Sequence, residues 1–193
     1  TLITPSVAAD LLRAGVSLIG ISLDSLDPMN DWLRGKEGAS QTALDGLRNC
    51  VTAGLRVGLR IKLARHNFQN LEAILGFVGR ERIECVCFHH LVYAGRGNDG
   101  PKDDLTHQQT RQAMDTILRR AADLRRRGRN IEVLTADNSV DAVYLYLRLY
   151  EKDPLRAAAA YQLLKRNSAA HCSGLGVASI GHQGNVYADP YWT

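Results

Sequence analysis

The chain has 193 residues, of which 45% are hydrophobic and 23% charged, and carries a net charge of +4. That length and balance suit one domain with a real core, or one domain and a piece of another, and exclude a disordered chain. No apolar run is long enough to span a bilayer, no signal-peptide pattern opens the chain, and the basic excess lacks the spread surface and interleaved aromatics of a nucleic-acid binder.

Thr4-Pro5 marks a first helix, with a capping hydroxyl followed by proline at the first helical position; Gly15 stops it. Ser17–Asp24 is a near-continuous apolar run that turns polar at its end, the pattern of a strand buried on both faces in a parallel sheet. Side chains alternate along a strand, so Ser22 and Asp24 share one face at its carboxyl end. Residues 25–38 read as a loop or short helix. Ser40 starts a second helix, whose stripe of Ala43, Leu44, Leu47, Cys50 and Val51 ends at Gly54.

The next strand, Arg56–Leu63, alternates between an apolar face and a face carrying Gly58, Arg60 and Lys62. An antiparallel strand would turn that basic face to solvent. A barrel strand would aim it at the lumen, where Arg60 and Lys62 could hold an anion. Asn67 and Asn70 lead into a third helix over 71–78. The strand that follows holds Cys85 and Cys87 on one face. Two thiolates with no third ligand nearby make a poor metal site, so both read as core cysteines.

That strand gives way to His89, His90, Tyr93 and a glycine-punctuated loop carrying Arg96. Ligands bind at the carboxyl ends of parallel strands, so His90, Tyr93 and Arg96 look like one wall of a site. His89 and His90 could instead be a satisfied core pair. Thr106 and Gln109 have capping-box spacing for a long helix ending at Gly128, whose arginine-rich end reads as a solvated helix terminus. A short strand follows over 131–135. Asp137-Asn138-Ser139 then reads as the cap of a tyrosine-rich helix, Asp153-Pro154 as a break, and the segment up to Lys165 as an alanine-rich helix. The tail reads as a β-hairpin around His182-Gln183-Gly184, preceded by Cys172 in a small-residue setting.

The fold class is therefore α/β with parallel strands. Three strong parallel-type strands are too few to close a barrel. The chain opens on Thr1 and stops at Thr193 without a finishing helix, so a piece lacking material at both ends is expected. Four cysteines without a secretory signal point to a reducing, cytoplasmic compartment.

The order and spacing of Ile21-Ser22-Leu23-Asp24, Asp31, Arg34-Gly35, Gly54 through Arg60, and Asn67 resemble the middle of a radical S-adenosylmethionine enzyme. The segment His90-Leu91-Val92-Tyr93-Ala94-Gly95-Arg96-Gly97-Asn98 resembles the heme d1 biosynthesis branch of that family, as do Ala136–Tyr144 and the tail from Gly174 to Trp192. The resemblance implies the later βα units of a partial (β/α)6 TIM-type barrel over 1–128. It further implies a helical connector over 129–167 and the start of a SPASM-like auxiliary-cluster module over 168–193. It implies S-adenosylmethionine and a [4Fe-4S] cluster, whose three-cysteine loop is absent from this sequence, so that this piece alone would be inactive.

In that frame Ser22 and Asp24 lie beside the cofactor's ribose and methionine, Arg60 and Lys62 face its carboxylate, and the backbone at His90 and Leu91 lines the adenine. His90, Tyr93 and Arg96 face the substrate. Cys172 matches a ligand of a possible auxiliary [4Fe-4S] cluster. The implied reaction uses a 5′-deoxyadenosyl radical on propionate side chains of a siroheme-derived tetrapyrrole, with flavodoxin or ferredoxin as electron donor. The alternatives are a peptide-modifying enzyme of the same build and a non-catalytic tetrapyrrole-binding module.

Overall fold

A computed structural model describes residues 2–26, 29–93, 102–168 and 178–189. Two compact units divide the chain, Thr1–Asn138 and Ser139–Thr193.

The first unit is built on one parallel sheet. Its strands are β1 (Leu18–Ser22), β2 (Arg56–Lys62), β3 (Cys85–His89) and β4 (Glu132–Ala136), and they pair in that order. The helices are α1 (Pro5–Arg13), α2 (Met29–Arg34), α3 (Ala39–Ala53), α4 (Leu71–Arg80) and α5 (His107–Arg126). The fourth strand falls in the stretch expected as a connector. It pairs along the whole of β3, from Cys85 opposite Glu132 to His89 opposite Ala136.

Because strand order follows chain order, right-handed crossovers place α3, α4 and α5 on one side of the sheet. The sequence pattern agrees. Ile21, Val57, Leu59, Ile61, Val86 and Phe88 point to that side and are buried, as are Leu47 and Cys50 of α3, Ile74 and Leu75 of α4 and Met114 and Ile117 of α5. The opposite face carries Leu18, Gly20 and Ser22, then Arg56, Gly58, Arg60 and Lys62, then Cys85, Cys87 and His89, then Glu132, Leu134 and Ala136, by strand alternation and register. This second face is open: Leu18 is 44% and Leu134 43% exposed. A singly wound parallel sheet with helices on one side has the topology of an arc of an α/β barrel.

Local signals account for several helix ends. The Thr4 hydroxyl accepts from the Val7 N–H, with Pro5 in the first turn of α1. The capping box of α5 forms in both directions, Thr106 to the Gln109 amide and Gln109 to the Thr106 amide. Gly54 ends α3 in the left-handed conformation at φ 87°. The start of α3 differs from the expectation. The helix begins at Ala39, its N-cap Gly38 has no capping side chain, and Asp31 reaches over from α2 instead. Its carboxylate accepts from the backbone N–H groups of Gly38 at 2.6 Å and Ser40 at 2.7 Å.

The second unit holds α6 (Val140–Tyr150), α7 (Pro154–Ser168) and a short antiparallel pair, β5 (Ser179–Ile180) with β6 (Val186–Tyr187). Tyr146 packs against both Tyr150 and Tyr161, which ties α6 to α7. Among the described residues no helix is long and apolar enough to cross a membrane.

Candidate functional site

The carboxyl ends of β1, β2 and β3 bring the predicted residues together. Ser22 stands opposite Arg60, and Lys62 opposite His89, in the parallel register. Neighbouring strands lie about 4.8 Å apart. Ser22 and Arg60 are thus adjacent on the open face, and both are exposed.

Gly20 makes room for the arginine. A Cβ added at Gly20 would sit 3.3 Å from Cδ of Arg60, tighter than ordinary van der Waals contact. The Arg60 side chain therefore lies across the position where β1 has no side chain. At its far end, Nε donates to Nε2 of His89 at 3.3 Å, and Nδ1 of His89 lies 2.8 Å from Oδ2 of Asp137. A guanidinium can only donate, so His89 accepts through Nε2 and gives its single ring proton, on Nδ1, to Asp137. The side chains of His89 and Asp137 are 22% and 19% exposed. Asp137 sits just past β4 at φ 68°, the one non-glycine residue with positive φ among those described.

Asp24 is differently placed. It is 7% exposed, and both carboxylate oxygens are used within the fold. Oδ1 accepts from the Lys62 backbone N–H at 2.7 Å, and Oδ2 from Nη2 of Arg34 at 2.7 Å. The Asp24 N–H donates to Oδ1 of Asn30, while its carbonyl accepts from Nδ2 of Asn67. Asn67, fully buried, also donates to the Lys62 carbonyl and accepts from the Ala64 N–H. These bonds weld the loop after β1 to the loop after β2 and so fix the rim of the open face.

His90 continues the sheet through its backbone N–H, which donates to the Ala136 carbonyl at 3.1 Å. Its side chain and Leu91 are half-buried. Tyr93 is exposed and its phenol donates to the Asp104 carboxylate. That hydrogen bond, with a smaller contribution from burial, pushes the Tyr93 pKa up and keeps the phenol protonated. Arg96 and Cys172 lie outside the described residues.

Cys85 and Cys87 share the open face, with Cys85 buried and Cys87 half-buried. Burial pushes both thiols up, and for Cys87 the neighbouring Arg60 only partly offsets it. Protonated thiols are poor metal ligands. Among the described residues no cluster of three or more His, Cys, Asp or Glu could hold a metal ion. A cleft of about 420 Å³ opens along β1, lined by Gly20, Ser22, Asn30, Arg34, Lys36 and Thr42 among others.

Sequence reading missed three of these parts. Gly20 carries no chemistry of its own. His89, which stands at the strand end with His90 and has a core-pair alternative, is not among the residues expected to face cofactor or substrate, although it shares the Arg60 and Lys62 face. Asp137 belongs to the Asp137-Asn138-Ser139 segment expected to cap the helix; α6 begins at Val140 with no capping side-chain bond from Ser139, and the Asp137 carboxylate lies against His89, a contact the cap reading does not contain.

No protein-family profile matches the chain. Two curated proteins do. The chain is 42% identical over 192 residues to Fe-coproporphyrin III synthase of Methanosarcina barkeri, covering 100% of this chain and 48% of that protein. It is 38% identical over 191 residues to pre-heme d1 synthase of Dinoroseobacter shibae, covering 97% of this chain and 47% of that protein. The chain thus spans about half the length of the curated relatives it matches. Both relatives are named as synthases, hence as enzymes, and both names specify a tetrapyrrole product.

Proposed function

We propose, on the premise that this chain belongs to the radical S-adenosylmethionine enzymes of heme biosynthesis, that it forms the cofactor- and substrate-facing wall of an enzyme modifying a siroheme-derived tetrapyrrole. The observation that carries this reading is the adjacency of Ser22 and Arg60 on the open carboxyl-end face of a parallel sheet. The fit to the cofactor lies in the charge. Arg60 has no carboxylate partner among the described residues, while Arg34, Arg56 and Arg119 each pair with one. A guanidinium fork is matched to the carboxylate of an amino acid.

In this reading Arg60 binds the cofactor's carboxylate, Lys62 adds positive charge beside it, and Ser22 offers a hydroxyl to the ribose or methionine portion. Asp24 sets the rim through its four hydrogen bonds, holding Ser22 and Lys62 in place from behind. The backbone at His90 and Leu91 lines the adenine. Tyr93 and His90 face the macrocycle, as does Arg96, which suits its propionate carboxylates. Bound S-adenosylmethionine would supply hydrogen-abstraction chemistry, and the open face would hold the substrate side chain against it. The described residues do not provide a [4Fe-4S] site. Its ligands lie outside this chain in this proposal, with flavodoxin or ferredoxin as reductant, and Cys172 is kept for an auxiliary cluster in a SPASM-like module. The architecture is the later part of a (β/α)6 barrel, and the setting is the cytoplasm.

The whole protein carrying this chain, cluster-reconstituted and reduced, tests the reading with S-adenosylmethionine and a decarboxylated siroheme. The expected result is tetrapyrrole-dependent 5′-deoxyadenosine and a product lighter by the altered propionate groups. Cofactor cleavage that a peptide stimulates and the tetrapyrrole does not would overturn it.

A further inference from the structure

Arg60 reaches the open face through a chain of contacts that the reaction itself does not require. Its aliphatic stem lies over Gly20, its Nε–H is taken by His89, and His89 is held in turn by Asp137. The three polar groups come from the ends of three successive strands, β2, β3 and β4. We propose that Asp137 and His89 are positioning residues that aim the Arg60 guanidinium at the carboxylate of a bound amino-acid-type ligand. This rests on the reading of Arg60 as the cofactor's carboxylate contact.

Three observations support the assignment. First, the directions of the two hydrogen bonds admit one arrangement. Because Arg60 only donates, His89 must be neutral at Nε2 and must carry its proton on Nδ1, which the Asp137 carboxylate selects. Removing Asp137 frees the ring to rotate or change tautomer, and either change costs Arg60 its acceptor. Secondly, the bond uses Nε alone. The two terminal NH2 groups of Arg60 have no hydrogen-bond partner among the described residues, so the bidentate end of the fork remains for a ligand. Pairing through a neutral imidazole also leaves the guanidinium charge unneutralised by direct contact. Thirdly, Asp137 adopts a backbone conformation that glycine would adopt without strain. Strain of this kind persists where the surroundings over-determine it, and it clusters at functional sites. Here the carboxylate that needs the strained position is the one that fixes His89.

Equilibrium binding of S-adenosylmethionine and of its decarboxylated analogue to the whole protein tests the proposal without turnover. Arg60→Ala measures the underlying reading. His89→Ala and Asp137→Ala are expected to weaken S-adenosylmethionine binding about tenfold and to leave binding of the decarboxylated analogue within about twofold. Asp137→Asn keeps an acceptor and tolerates positive φ, so it should bind like the parent. Asp137→Gly separates folding from function: it removes the strain and the carboxylate together, and should unfold no earlier than the parent while losing affinity like Asp137→Ala. If Arg60→Ala binds S-adenosylmethionine as the parent does, the carboxylate reading fails and this proposal with it. If Arg60→Ala loses affinity while the His89 and Asp137 variants do not, or if those variants weaken both ligands equally, the positioning role alone is overturned.

Discussion

Three aspartates show how much a single carboxylate can organise. Asp24 and Asp137 hold groups 38 and 48 residues away, Asp31 holds groups seven and nine residues away, and none does so through a motif. Asp31 accepts from the start of α3, and the hydrogen bonds from the Ser40 side chain and backbone hold its pKa below the ordinary aspartate range. A depressed carboxylate contributes stability above its unfolded pKa of about 3.9 and loses that contribution as pH falls through the lower folded value. Asp31→Asn should therefore lower the thermal midpoint at neutral pH, with the gap to the parent closing as the medium is acidified below about pH 4. A gap that stays constant with pH would show that the charge does not matter. Asn67 carries a larger load. Asn67→Ala strands the Ala64 N–H and the Asp24 and Lys62 carbonyls in the interior, and should cost roughly 3 kcal/mol in urea unfolding. The residue types at these positions were visible in the sequence, and Asn67 and Asp31 fell in recognisable segments. The partners of Asp24 and Asn67 were not visible, because a side-chain bond between loops 38 or 43 residues apart leaves no periodic trace.

Elements were far more legible, since burial imposes a period that the chain must display. The alternation of Arg56–Leu63 separated the basic face from the apolar one, and the parallel register places that basic face with Ser22 and His89. Helix ends followed where the signal was local, as at Thr4 and Thr106. They failed where a remote residue did the capping, as at Asp31. The two glycines of α4 give a test at this scale. A methyl group at Gly76 would meet only Arg80 at 3.4 Å and Arg120 at 3.9 Å, ordinary contacts with flexible side chains. Gly76→Ala should stabilise the protein by about 0.5–1 kcal/mol through helix propensity. At Gly79 the same methyl would lie 2.6 Å from a methyl of buried Leu124. There Gly79→Ala should instead cost about 1–3 kcal/mol, so that chemical denaturation moves in opposite directions for two substitutions three residues apart.

At the scale of the molecule, the first unit buries one face of its sheet under helices and leaves the other open. Phe88 is fully buried on the helix side, one residue from His89 on the open side. Phe88→Ala should cost about 3–5 kcal/mol, whereas His89→Ala should change urea stability little, and the contrast between neighbours would mark the division of labour. The parallel class was legible from the apolar runs. The fourth strand was read as a strand, but its membership of the sheet was not, because Glu132 and Leu134 both face outward and blur the pattern.

Strand order that repeats chain order has a consequence for how the chain is made. Within this sheet β2, β3 and β4 each hydrogen-bond to the strand synthesised just before them, and each intervening helix is made between the two strands it joins. Among these four strands none has to wait for a distant one to emerge from the ribosome. These strands can join the sheet one after another as translation proceeds, and the Arg60–His89–Asp137 chain, whose last member follows β4, is completed only once β4 has been added.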